Sequence, residues 1–156
     1  MKKLDYIIAA GLALAALVLY GVSCADFAFP GESARLLCIW QGLETVTCTP
    51  YPLMSAFARL LGGGNAIAPL CGVLSVAMMY LLSVRFLRGQ MNGENVSNFR
   101  GTASRLAGVT ASLVFMLTPA VRHAATHAEP RLFQACWMMA SLLVLGWRPR
   151  GIEGNS

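Results

Sequence analysis

Three carboxylates and two histidines are the side chains of this 156-residue chain best suited to acid-base work. His123 and His127 stand at i, i+4 with Glu129 close behind, while Asp26 and Glu32 fall together much earlier. Histidines at that spacing, joined by carboxylates, suit a general base or the ligand set of a divalent metal ion. The plainer alternative is a set of solvated polar groups, because a surface acid beside an arginine is usually an ion pair worth little. Arg35, Arg59, Arg122 and Arg131 lie in the same stretches and are the cations available to hold an anionic group. No HExxH, GxSxG, P-loop or dinucleotide fingerprint occurs.

The elements that must position these residues read as membrane helices. With 56% hydrophobic and 12% charged residues and a mean hydropathy of +0.60, the chain is too apolar for a water-soluble domain of its size. Charge-free runs cover 6–25, 65–84, 106–121 and 132–147, and a bilayer core of roughly 30 Å needs about 20 helical residues. The first two runs fit easily. The last two, 16 residues each between arginines, span if Arg105, Arg122, Arg131 and Arg148 snorkel to the interfaces. The expectation is an all-α polytopic membrane protein forming one membrane domain. Its spans fall at about 5–24, 65–84, 104–121 and 131–147, with an outer loop at 25–64, a cytoplasmic loop at 85–103 and a cytoplasmic tail at 148–156. None of the four runs holds an ionisable group, which disfavours a small-solute transporter.

With the N-terminus inside, Lys2, Lys3, Arg85, Arg88, Arg100, Arg105, Arg148 and Arg150 are cytoplasmic, and Arg35, Arg59, Arg122 and Arg131 are external. That division agrees with the positive-inside bias and sets both termini in the cytoplasm. The net charge of +5 therefore reports topology; spread over loops, it makes no basic face for nucleic acid. Asp26, Glu32 and Glu129 then share the outer face. Met1-Lys2-Lys3 and Val22-Ser23-Cys24-Ala25 resemble a signal peptide with a lipoprotein cleavage box, but the apolar stretch between them is too long, so it reads as an uncleaved span. Ala9, Ala10, Gly11, Ala13, Ala15 and Ala16 keep one surface of it thin for close packing. Of the five cysteines, Cys24, Cys38 and Cys48 face the oxidising side and can form a disulfide. Cys71 and Cys136 read as small apolar residues within spans, and no CxxC pair occurs.

The outer loop carries two amphipathic runs, at 34–43 and 53–61, divided by the stiff corner Thr49-Pro50-Tyr51-Pro52. Leu36, Leu37, Trp40 and Leu43 make one apolar stripe, and Leu53, Phe57, Leu60 and Leu61 the other, so both runs read as interfacial helices. Pro52 opens the second and Gly62-Gly63-Gly64 closes it. Glu32 falls in the first turn of the first run, where the helix dipole and Arg35 favour its ionised form. Glu44 lies past that run. Thr118-Pro119 ends the third span, and 121–130 reads as a short outer loop. Asn95-Val96-Ser97 matches a glycosylation pattern but lies on the cytoplasmic side.

Pro30-Gly31-Glu32-Ser33-Ala34-Arg35-Leu36, Thr49-Pro50-Tyr51-Pro52-Leu53, Met79-Tyr80-Leu81-Leu82, Leu117-Thr118-Pro119 and Ala128-Glu129-Pro130-Arg131-Leu132 follow one another along the chain. Their order and spacing resemble the N-terminal part of bacterial membrane glycosyltransferase-like proteins related to protein O-mannosyltransferases, a class that uses lipid-linked sugar donors. The likeness covers residues 4–147. Glu32 stands at the family's aspartate, Arg35 where the family has a second acid, and the corner lacks the family's histidine. The resemblance implies a bacterial inner membrane, and hexosyl or mannosyl transfer from a lipid-linked donor to an acceptor on its outer face. Glu32 is then the first choice for the carboxylate that deprotonates or orients the acceptor hydroxyl, Asp26 is in reserve, and Glu129 orients substrate or a divalent metal ion. Arg35, Tyr51, Arg122, His127 and Arg131 are the implied substrate-binding residues. Members of the class resemble bundles of many more spans, so this chain is expected to be an N-terminal module or fragment of such an architecture. The alternative is a non-catalytic membrane interaction or assembly subunit that docks a partner protein through its small-residue faces and outer loop.

Overall fold

The computed structural model describes residues 3–23, 35, 38–39, 52–60, 66–90, 97–127 and 129–145. Among the described residues the protein is all-α, with no strand. Its helices are α1 Lys3–Val22, α2 Pro52–Leu60, α3 Ile67–Gln90, α4 Ser97–Leu117, α5 Pro119–Thr126 and α6 Pro130–Leu145. α1 and α3 are long and apolar enough to cross a membrane, and α4 with α5 gives a third crossing if the bent pair counts as one. α6, with 16 residues, covers about 24 Å, which is short of a core of roughly 30 Å.

α3 is the central helix, packed against α1, α4, α5 and α6. α1 turns Asp5, Ala9, Leu12, Ala16 and Tyr20 inward, a spacing of three and four that lines one helical face. Gly11 on its other side has open space around it. Only part of the small-residue surface expected on this helix is therefore used inside the bundle. α4 meets α3 through Ser104, Gly108, Ser112 and Met116, one turn apart and all buried. Small residues at that spacing let two backbones approach closely. A Cβ placed on Gly108 would lie 2.8 Å from Val84 Cγ2 and 3.2 Å from the Tyr80 ring. The two serine hydroxyls stay within their own helix, donating to Gly101 O at 3.0 Å and Gly108 O at 2.9 Å.

Side-chain bonds fix the helix directions. Asp5 near the start of α1 binds Arg88 at the end of α3 and Arg105 early in α4. At the far end, the Tyr20 hydroxyl donates to Met116 O at 3.1 Å. Arg85 donates to Leu143 O at 3.2 Å, joining the C-terminal parts of α3 and α6. α1, α3, α4 and α6 thus alternate up and down, as short connections between packed helices favour.

The helices depart from the expected elements at three places. α3 continues to Gln90, so Arg85 and Arg88 sit on a helix and not in a polar loop; their bonds to α6 and α1 reward that extension. Arg105 does not snorkel outward but reaches inward to Asp5. The stretch expected as a short loop after Thr118-Pro119 is the helix α5, which leaves α4 at 62°. Pro119 has no N–H to continue the α4 ladder and keeps Thr118 extended, at φ −58 and ψ 127. Thr118 O then accepts from Arg122 N at 3.0 Å, and a new helix starts with proline in its first turn. α2 begins at the predicted Pro52, with Met54 and Ser55 buried and Phe57 and Leu60 turned out. In the first amphipathic run, Arg35, Cys38 and Ile39 are helical and Ile39 is buried; Leu36, Leu37, Trp40 and Leu43 lie outside the described residues.

Candidate functional site

The bend at Thr118 sets the polar residues of α5 and of the start of α6 at the Tyr20 end of the bundle. α5 is anchored there through Ala124 and Ala125, both buried. Gly72 makes that anchoring possible, because a Cβ on it would sit 2.8 Å from Ala125 Cβ and 2.9 Å from Tyr20 Cε2. The opposite face of α5 presents Arg122 and His123 to the surface.

α5 ends at His127, whose extended backbone still donates N–H to His123 O at 3.0 Å. Its ring Nδ1 also lies 2.8 Å from His123 O and 2.9 Å from Thr126 Oγ1. A carbonyl only accepts, so His127 carries its proton on Nδ1, and the neutral ring has its lone pair on Nε2. His123 stacks on His127 with centroids 4.1 Å apart and planes 8° from parallel. Glu129 Oε1 is 3.9 Å from His123 Nδ1, with the carboxylate side chain 31% exposed. That separation is a loose ion pair when His123 is charged.

Parallel rings bear on metal binding. A zinc-like ion sits about 2.0–2.1 Å from an imidazole nitrogen and in the ring plane, whereas lone pairs of two stacked, parallel rings do not converge on one point. Among the described residues no group of three or more His, Cys, Asp or Glu side chains could hold a metal ion. His123 and Glu129, which keep exposed surface, instead suit acid-base contact and hydrogen bonding, while His127, with Nε2 buried and Nδ1 bonded within the turn, supports the His123 ring.

Of the sequence-predicted residues, Arg122, His127, Glu129 and Arg131 come together at this end, with Arg122 and Arg131 exposed and His127 and Glu129 half-buried. Arg35 is helical and exposed. Asp26, Glu32, Glu44 and Tyr51 lie outside the described residues, as do Cys24 and Cys48. At the same end of the bundle an apolar groove of about 350 Å³ opens between α2, α3 and α6, walled by Phe57, Ile67, Leu70, Leu74, Phe133 and Trp137. Phe133 ties the walls together, 6.4 Å from Phe57 and 6.3 Å edge-on from Trp137. Ile67 and Phe133 belong to the first turns of α3 and α6, so the groove starts at the end of the bundle that Glu129 and Arg131 occupy.

Sequence reasoning overlooked the other polar cluster. Asp5 is fully buried and takes a two-pronged contact from Arg88, at 2.7 Å and 3.0 Å, with Arg105 Nε at 2.8 Å. An ionisable group therefore does lie within the bundle, one residue outside the run counted as charge-free. The usable signal is register: Asp5 falls on the same helical face as Ala9, Leu12, Ala16 and Tyr20. With all its carboxylate oxygens held by arginines, this cluster works as a clamp on three helices.

The fold and the polar end together define an all-α bundle in which two helices, or three if the bent pair counts as one, are long and apolar enough to cross a membrane. Compared with protein-family models, with curated proteins and with solved structures, the chain matches none.

Proposed function

We propose that this chain is part of a membrane enzyme that transfers a sugar from a lipid-linked phosphate donor to an acceptor at the outer surface. The observation that supports this reading best is an apolar groove that opens at the same end of the bundle as Arg122, His127, Glu129 and Arg131. Such a donor has a hydrocarbon tail, a phosphate and a sugar, and each needs a different surface. The groove suits the tail. Arg122 and Arg131 suit the phosphate and the negative charge that grows on it as it leaves. Glu129 and the acids of the outer loop suit the hydroxyls of sugar and acceptor, and His127 would reach them only on a shift that uncovers its Nε2.

The reaction is an inverting displacement. The acceptor oxygen attacks the anomeric carbon from the face opposite the phosphate, its proton passes to a carboxylate, and the bond from that carbon to the phosphate oxygen breaks. Glu32 is the first choice for the carboxylate, with Asp26 in reserve and Glu129 orienting the substrate. A positioned base contributes about 10²-fold to 10⁴-fold, so holding the phosphate must supply much of the remainder.

The test is transfer by the protein, with any neighbouring subunit, in liposomes holding a polyprenyl-phosphate sugar and a mixture of hydroxyl acceptors. Glu32→Gln should lower transfer by roughly tenfold to a hundredfold while insertion stays normal, and Glu44→Gln should leave it unchanged. No transfer by the unmodified protein would overturn the enzymatic reading. Equal small effects from both variants would favour the second reading, an interaction or assembly subunit. One observation supports that alternative: Gly11 and Gly21 leave open space along the outward side of α1, a surface on which another helix can pack closely.

A further inference from the structure

Two of the groove's wall residues are thiols. Cys71, in the second turn of α3, and Cys136, in the second turn of α6, both line the cavity. Neither is in a disulfide, both stand in the wall where α3 packs on α6, and their thiols lie within mutual hydrogen-bonding reach. Cys71 is 8% exposed and Cys136 more so. One turn on from Cys71, Ser75 is fully buried, and the Cys136 sulfur is the acceptor its hydroxyl approaches. A Cys136 thiolate is a stronger acceptor for that buried hydroxyl than the thiol is.

We propose that Cys71 and Cys136 are a dithiol site that closes into an α3–α6 disulfide by exchange with an apolar disulfide delivered through the groove. The more accessible Cys136 thiolate attacks one sulfur of the incoming disulfide, forming a mixed disulfide and expelling one thiolate. The Cys71 thiolate then attacks the Cys136 sulfur, forming the Cys71–Cys136 bond and expelling the second thiolate. The two protons lost by the cysteines go to the two expelled thiolates. The protein is oxidised by two electrons, and the incoming disulfide is reduced by two. Closure joins the groove's two principal walls covalently at the end where the polar cluster sits. This site does not depend on sugar transfer being the reaction.

The experiment uses the full chain in lipid nanodiscs, with Cys24, Cys38 and Cys48 changed to serine, and dithiodipyridine as the apolar disulfide. The expected result is release of two thiopyridones per protein, a protein mass lower by two hydrogens, and both thiols closed to maleimide until a reductant is added. Cys71→Ser should release one thiopyridone and keep a pyridyl adduct on Cys136, and Cys136→Ser should react more slowly. Ser75→Ala should slow the first release by roughly tenfold, as loss of a hydrogen bond to a charged group does. Should the serine background fail to fold, the unmodified chain is oxidised instead, and its digest should contain the Cys71 and Cys136 peptides joined. A pyridyl adduct on each sulfur, or separate peptides after oxidation, would overturn the proposal.

Discussion

The two ends of the bundle hold similar residue types in opposite states. At one end Asp5 has no exposed surface, and Arg88 and Arg105 are 28% and 20% exposed as they close on it at hydrogen-bond distance. At the other, His123 is 60% exposed and 3.9 Å from Glu129, and Arg122 and Arg131 face outward. Buried charges tolerate little misplacement, because a lost partner leaves an uncompensated ion, whereas an open cluster remains available to a ligand. The Asp5 end therefore acts as the structural anchor from which the Tyr20 end can be held open. The contrast also separates what substitution should do at each end.

Removing the anchor should have the largest effect. Asp5→Ala leaves two arginine charges facing each other in a partly buried site and should destabilise the bundle by about 3 kcal/mol or more, read as a lower unfolding midpoint in detergent micelles. A change below about 0.5 kcal/mol, the scale of a surface pair, would erase the distinction between the ends. Glycine substitutions sharpen the comparison at a smaller scale. Gly72→Ala and Gly108→Ala force a Cβ against Ala125 and Val84 respectively and should each cost about 1–3 kcal/mol. Gly11→Ala meets nothing within 4 Å and should be neutral or stabilising by up to about 1 kcal/mol. The same unfolding assay distinguishes these, and an equal response at Gly11 and Gly72 would mean that α1 packs through its other face.

The helical class and most helix positions were legible because long apolar runs and proline starts are local signals. Pro52 opening α2 and the break at Thr118-Pro119 are examples. The Asp5 clamp was missed because its partners lie at Arg88 and Arg105, and pairing across that separation is a tertiary fact; the arginines read instead as loop charges. The same reason hid the Cys71 and Cys136 pair, which read as two unrelated small residues. α5 reads as a loop in the sequence because His123, Thr126 and His127 look polar, although Ala124 and Ala125 supply the buried side that holds it as a helix. At the candidate site, residue type and motif order single out Arg122, His127, Glu129 and Arg131, and the structure sets them at one end of the bundle. The groove at that end is not legible in this way, since its walls come from three separated helices.

The most direct measurement is binding of a polyprenyl-phosphate sugar to purified protein in nanodiscs, read beside thermal unfolding for the same samples. Changing Arg122 and Arg131 together to glutamine should weaken binding by roughly a hundredfold, two charge-assisted contacts to phosphate at about 1.5 kcal/mol each, while the unfolding midpoint stays put. Asp5→Asn should do the reverse, lowering the midpoint while the folded fraction binds normally. Normal binding by the double-arginine variant, or weakened binding by Asp5→Asn in fully folded protein, would contradict the assignment of anchor and site to opposite ends.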